Sequence, residues 1–198
     1  METPPRELPI VTDHPALNLA NTVDDPLGPG RHDHIATYPE LLLWARRADL
    51  LRPADAEHLR ALGEQHPRRA AAAVRRAADL RDALNETFGA YVDGTDPNPG
   101  WSRLRRHVTE AVDRSHLGDT GPAWDLTEPV APLWPVAAAA HELLLGDEIG
   151  RLKRCGYCPW LFLDRSKNGS RRWCSMEDCG TQAKIVRYVA KRRAAKAG

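Results

Sequence analysis

At 198 residues with 42% hydrophobic content, the chain has material for one ordinary domain with a small appendage, and its formal net charge of +1 excludes an overall polyanion or polycation. No apolar run approaches the roughly 18 residues of a membrane span; the longest candidate, Val136 to Leu145, is interrupted by His141 and Glu142. The charge is unevenly placed, because residues 151–198 hold thirteen Lys and Arg against three acids, a net +10, while residues 1–150 carry −9.

Residues 1–9, with three prolines and mixed charge, read as a loose leader without the features of a signal peptide. In His14-Pro-Ala-Leu-Asn-Leu-Ala-Asn-Thr-Val23, Leu17, Ala20 and Val23 recur at helical spacing against a competing alternation at Leu17 and Leu19. A short helix is expected there, ended by a loop from Asp24 to Gly30. Thr37-Tyr-Pro-Glu40 fits a capping box, and the helix it starts carries Leu41, Trp44, Ala45 and Ala48 on one face. Pro53 begins another, with Ala56, Leu59 and Leu62 inward and Gly63 near its end.

A long helix is expected from about Arg69 to Val92, with Val74, Ala77, Leu80, Leu84, Phe88 and Tyr91 as its buried stripe and Gly94 to Gly100 closing it. Trp101, Leu104, Val108 and Ala111 mark the next helix. Ser115–Leu117 and Ala123–Leu126, around Gly118 to Pro122, suggest a small hairpin. Pro132 to Leu145 resumes helix with Leu133, Val136, Ala140 and Leu144 on one side, and Pro135 is tolerated in its first turn. The fold class is therefore mainly α. Composition turns basic after Asp147 to Gly150, which divides the chain into a helical domain, 1–148, and a basic module, 149–198, expected to pack against the last helix of the first.

All four cysteines fall within that module, as Cys155-x2-Cys158, fifteen residues, then Cys174-x4-Cys179. Two close thiol pairs across a loop can wrap one tetrahedral Zn²⁺, and a full set of four protein ligands leaves no position for a catalytic water. The rivals are a disulfide-stapled secreted module, for which a signal peptide is missing, and a redox pair, which does not account for the second pair.

Gly156 favours a knuckle at the first pair. Trp160 to Asp164 reads as a strand, Asn168-Gly169 as a turn, and Ser170 to Trp173 as the returning strand. Ser175 is placed to cap a helix that holds Cys179 in its first turn and runs through Ala183, Ile185, Val186, Val189 and Ala190 to about Lys196. Knuckle, hairpin and helix around one zinc make a treble-clef-like finger, with Trp160, Phe162 and Trp173 expected to cover the metal. Lys153, Arg154 and Arg171 would offset part of the thiolate charge.

The remaining cations suggest a nucleic-acid surface. The hairpin segment offers Arg165, Lys167, Asn168, Arg171 and Arg172. The following helix offers Lys184, Arg187 and Lys191 at i, i+3 and i+7, with Arg192 beside them and Gln182 as a neutral base reader.

Arg151-Leu-Lys-Arg-Cys155, Leu161-Phe-Leu-Asp164, Ser166-Lys-Asn-Gly169, Arg171-Arg-Trp-Cys-Ser-Met176 and Cys179-Gly180 resemble the CGNR zinc finger. His14 to Thr22 and Pro132-Leu-Trp-Pro135 are similar to the ABATE domain that precedes this finger, mostly in bacteria. The resemblance implies a stress-induced transcription regulator, with the four cysteines as zinc ligands and the finger as the DNA-binding part. The chain departs from the pattern at Thr181-Gln182, where the family name has Asn-Arg, which touches a DNA contact or the helix start and leaves the metal ligands intact.

The expected function is a cytoplasmic, zinc-dependent DNA-binding regulator whose acidic domain senses a small-molecule effector or a protein partner, with homodimerisation left open. The alternative is a finger for RNA or protein interaction. An enzyme is not expected: no P-loop, Rossmann or nucleophile-elbow pattern occurs, and His14, His32, His34, His58 and His141 read as scattered surface or packing residues. Only His32-Asp-His34 could seed a second metal site.

Overall fold

The computed structural model describes residues 10–26 and 28–197, so the leader expected over residues 1–9 lies outside the described residues. The short helix forms as α1 (Pro15–Ala20), with proline in its first turn, where a missing amide costs nothing. Its few residues are almost all buried, Asn18 included. Directly after it β1 (Val23–Asp24) pairs antiparallel with β2 (His32–Asp33), so the loop expected between them is the connection of a two-rung hairpin. Arg81 fixes this hairpin from below. Its guanidinium makes a bidentate pair with Asp33 at 2.8 and 3.0 Å and reaches Thr22 Oγ1 at 3.3 Å.

The capping box forms as read: Thr37 Oγ1 accepts from Glu40 N and Glu40 Oε2 accepts from Thr37 N at 2.8 Å, starting α2 (Tyr38–Arg47). Asp49 takes the left-handed conformation in the turn to α3 (Pro53–Gln65). The body is built around α4 (Pro67–Asp93), about 40 Å long at 1.5 Å per residue, which buries Ala73, Ala77, Leu80, Leu84 and Phe88 along one side. Gly94 ends it with a φ of +66°, a conformation that glycine adopts without a Cβ clash.

Antiparallel to α4 lies α5 (Asn98–Asp113), joined by Asp79–His107 at 2.8 Å and Asp79–Arg103 at 2.9 Å. Burial lowers the pKa of His107 despite Asp79, so the imidazole is neutral near pH 7. Because α5 begins opposite Thr87, it leaves the last turn of α4 uncovered on one side. Tyr91, expected in the buried stripe, is consequently 48% exposed. The expected small hairpin is β3 (Ser115–Gly118) with β4 (Gly121–Trp124), clipped down by Trp124 Nε1 donating to Ala111 O at 2.7 Å. Then α6 (Leu133–Leu145), apolar on nearly every side, fills the space between α5 and α1.

A short 3₁₀ turn, Asp147–Arg151, leads into β5 (Leu152–Arg154), which pairs antiparallel with β6 (Leu161–Leu163). This pairing corrects the expected hairpin, in which Leu161–Leu163 would pair with Ser170–Trp173. Asn168-Gly169 does turn the chain, with Gly169 at φ +58°. The returning segment nevertheless forms no strand, because both edges of β6 are taken. One pairs with β5, and on the other the side-chain amide of Asn21 bonds both main-chain atoms of Leu161.

The module also packs more widely than on the last helix alone. The 3₁₀ turn lies on α6, whereas β5 lies against α4 and β6 against α1. Leu152, Leu161 and Leu163 belong to the same apolar core as α1, α4 and α6.

Gly100 marks a close approach of α5 to α4: a Cβ there would lie 2.5 Å from the Thr87 backbone nitrogen. Gly100→Ala must push α5 off α4, and we expect it to lower the unfolding free energy by about 1–3 kcal/mol. Urea denaturation checks this; an unchanged midpoint would refute the close approach.

Candidate metal centre

The first knuckle is the bend between β5 and β6. Cys155 N donates to Trp160 O at 2.8 Å and Gly156 N donates to Arg172 O at 2.9 Å. The second pair is set by a cap. Ser175 Oγ accepts from Asp178 N at 3.1 Å and starts a π-helical turn, Met176–Gly180, that places Cys179 and passes into α7 (Thr181–Ala197). That wider turn accommodates the x4 spacing.

The four Sγ atoms lie within 4.8 Å of one another, with Cys158–Cys174 at 3.5 Å and Cys174–Cys179 at 3.6 Å. A zinc tetrahedron with Zn–S near 2.3 Å has sulfur–sulfur edges of about 3.8 Å, so the donor set fits Zn²⁺ in size and chemistry.

The electrostatics favour a cation. Among themselves the thiols stabilise one charge: hydrogen bonds, first from Cys174, hold Cys158 down to about 6. Cys174 is pushed up by its bond to Cys158 and by burial, and Cys179 is pushed up to about 12 by burial and the Cys158 charge. A bound divalent ion removes that conflict by letting all four ionise. Cys155, Cys158, Cys174 and Cys179 would hold one structural zinc, with Trp160 and Phe162 buried over them and Trp173 and Val11 half-buried at the edge.

Around this centre the expected nucleic-acid residues divide. Arg165 pairs with Glu148 at 2.7 and 2.8 Å and with Asp13, tying the finger to the helical body. Arg171 turns inward over the Phe162 ring, 4.8 Å from its centroid, and donates to Trp173 O at 2.9 Å and to Cys174 O. Lys167, Asn168 and Arg172 are exposed near the turn. Gln182, Lys184, Arg187, Lys191 and Arg192 are exposed along α7. The two groups are brought into one module but not into one continuous cluster of contacts.

Of the cations expected to offset thiolate charge, Lys153 is spent on Asp164 at 2.6 Å and Arg154 on Asp93 at 2.7 Å. Asp164, buried, also accepts from Ser166 N, Ser166 Oγ and Arg171 N. Lys153 and Ser166 hold its carboxyl well below the usual carboxylate range.

Comparison with known families completes the assignment. Residues 151–192 match the model for the CGNR zinc finger, and residues 13–147 match the ABATE model, described as "Putative stress-induced transcription regulator". The chain belongs to the ABATE family. A comparison with curated proteins returns no match. This ABATE protein is therefore a zinc-finger protein of a transcription-regulator family, and no helix among its described residues is long and apolar enough to cross a membrane. The thiol set fits one Zn²⁺ as the resemblance implied.

The histidines do not form a second metal site among the described residues. His34 Nε2 is bonded to Asp24 at 3.0 Å and its ring meets the exposed His32 edge-on at 4.5 Å. His58 is bonded to Leu126 O, and His141 stacks on Trp101. Among the described residues, the four cysteines are the only group of three or more side chains placed for a metal.

Sequence reasoning missed Asn21, Asp164, Asp13 and Glu148. The one available signal was polar Asn18 and Asn21 within an otherwise apolar helical pattern.

Two neighbouring arginines separate the structural from the surface role. Arg171→Met should weaken zinc binding by about 10–100-fold, the range for residues that orient a ligand, whereas Arg172→Ala should leave it unchanged. Competition with a chromophoric chelator measures both; equal affinities would refute the assignment.

Proposed function

We propose that this ABATE protein is a zinc-dependent, DNA-binding transcription regulator in which α7 lies against duplex DNA. One observation carries the reading. Among the described residues, Lys184, Arg187 and Lys191, which share one face of α7, have no intramolecular hydrogen bond or ion pair, and Arg192 beside them contacts the Tyr188 ring at 5.8 Å. Arg154, Arg165 and Arg171 of the same finger are, by contrast, all engaged.

Unpaired cations in a row on an exposed helix are costly to leave beside one another and bind a line of phosphates with release of counterions. A major groove about 12 Å wide admits such a helix. Lys167, Asn168 and Arg172 would then meet flanking backbone, and Gln182 and Arg187 a base edge. Arg165 and Arg171 drop out of the contact set. The body's net charge of −9 keeps it off the phosphates and orients the finger.

The helical body is the place for an effector or partner. A half-open cleft of about 510 Å³, lined by Leu51, His58, Trp124, Leu126 and Pro132, is a candidate for it. We place the protein in the cytoplasm, where thiols stay reduced and available to zinc.

A second reading, a protein-binding finger, is favoured by the other side of α7, where Ile185, Val186 and Val189 are between 40% and 56% exposed. Salt distinguishes the two. For duplex DNA, changing Lys184, Arg187 and Lys191 together to Ala should reduce the slope of log K against log [salt] by about 3, near 0.9 per phosphate contact, with zinc content unchanged. An unaltered slope, or binding insensitive to salt, would overturn the DNA reading.

A further inference from the structure

The free edge of β6 is where a third strand of the finger would pair. It is occupied instead by one side chain of the helical body. Asn21, 2% exposed at the end of α1, accepts from Leu161 N through Oδ1 at 2.9 Å and donates to Leu161 O through Nδ2 at 2.8 Å. This carboxamide reproduces the paired bonds of a neighbouring strand. One residue earlier, Trp160 Nε1 donates to Val23 O at 3.0 Å in the adjoining hairpin.

Trp160 is also the residue whose carbonyl receives the Cys155 amide. A path of hydrogen bonds thus runs from the body, through Asn21 and Val23 to Trp160 and Leu161, and on to the first zinc ligand. Leu161 and Leu163 sit in the body's core on the same strand.

We propose that Asn21, with Trp160, links zinc occupancy to the packing of the helical body. Metal binding tightens α1 and the β1–β2 hairpin, and the state of that region sets how firmly the metal is held. Linkage is reciprocal, so whatever shifts one side shifts the other by the same factor. Asn21 acts here as a positioning residue: it touches no metal ligand, and supplies two bonds without which Leu161 N and O are buried and unsatisfied. The inference rests on the metal centre alone and stands apart from the DNA reading.

Two measurements on the full-length, zinc-loaded protein test it. In the wild type, amide hydrogen exchange before and after chelation should show lost protection over residues 15–24, outside the finger. Unchanged exchange there would overturn the proposal.

The second measurement is the rate of zinc transfer to a chromophoric chelator. Asn21→Ala should release zinc about 10-fold faster, as expected for an orphaned buried pair. Trp124→Phe is the control: Trp124 Nε1 bonds Ala111 O at 2.7 Å in the same body, away from α1, the β1–β2 hairpin and the finger. It should lower the melting temperature and leave the release rate unchanged. Equal acceleration in both variants would mean general destabilisation, and no acceleration in Asn21→Ala would mean no link; either result sinks the idea. Should Asn21→Ala fail to fold, Asn21→Asp keeps the size of the side chain and the acceptor for Leu161 N and removes the amide donor to Leu161 O. Faster release in that variant supports the link, and a wild-type rate refutes it.

Discussion

Four sulfur atoms held within 4.8 Å of one another cannot all carry charge on their own, and they sit where desolvation makes the conflict worse. A divalent ion turns this repulsion into the strongest attraction in the module. The elements around it serve that arrangement: a bend between two short strands presents Cys155 and Cys158, and a serine-capped π turn presents Cys174 and Cys179. Structural zinc in finger peptides contributes on the order of 10–16 kcal/mol to folding. Strands of three residues and a solvent-exposed helix would not hold this geometry unaided.

The finger is nonetheless not a free appendage. Its strands contribute Leu152, Leu161 and Leu163 to the body's core, its edge is closed by Asn21, and Arg154 and Arg165 reach across to Asp93, Glu148 and Asp13. The exposed ion pairs contribute little individually. The buried contacts matter more, since an unpaired main-chain group at Leu161 would cost more than such a surface pair. Two family matches that meet near residue 150 therefore describe one continuous packing arrangement, in which a change in either part is felt by the other.

Charge is divided by use. The finger carries +10, yet the cations nearest the metal are consumed internally: Lys153 by Asp164, Arg154 by Asp93, Arg171 by the carbonyls around Cys174. What remains without an acidic partner among the described residues lies at Lys167 and Arg172 near the turn and along α7, which touches little besides the turn preceding it. Structural and interaction roles are thus assigned to cations a few residues apart, and only the direction of each side chain distinguishes them.

Spacing alone determined the thiol set, because C-x2-C and C-x4-C place four soft ligands within reach of one ion whatever the surrounding fold. The Thr37–Glu40 capping box and the stripe from Ala77 to Phe88 were likewise legible, since both depend on interactions within three or four residues of the same helix. The partner of β6 was not: Asn168-Gly169 predicted a local hairpin, and the actual competitors for that edge, Asn21 and Leu152–Arg154, are chosen by burial against α1 and α4. Tyr91 fitted the buried stripe but lies beyond the end of its partner helix. Arg171 and Arg172 are identical in sequence terms; the tertiary structure turns one inward over buried Phe162 and leaves the other exposed, lying over the Trp173 ring at 5.6 Å. Periodicity and ligand spacing are local properties of the chain, whereas strand-edge pairing and side-chain direction depend on which distant surfaces arrive first at the same place.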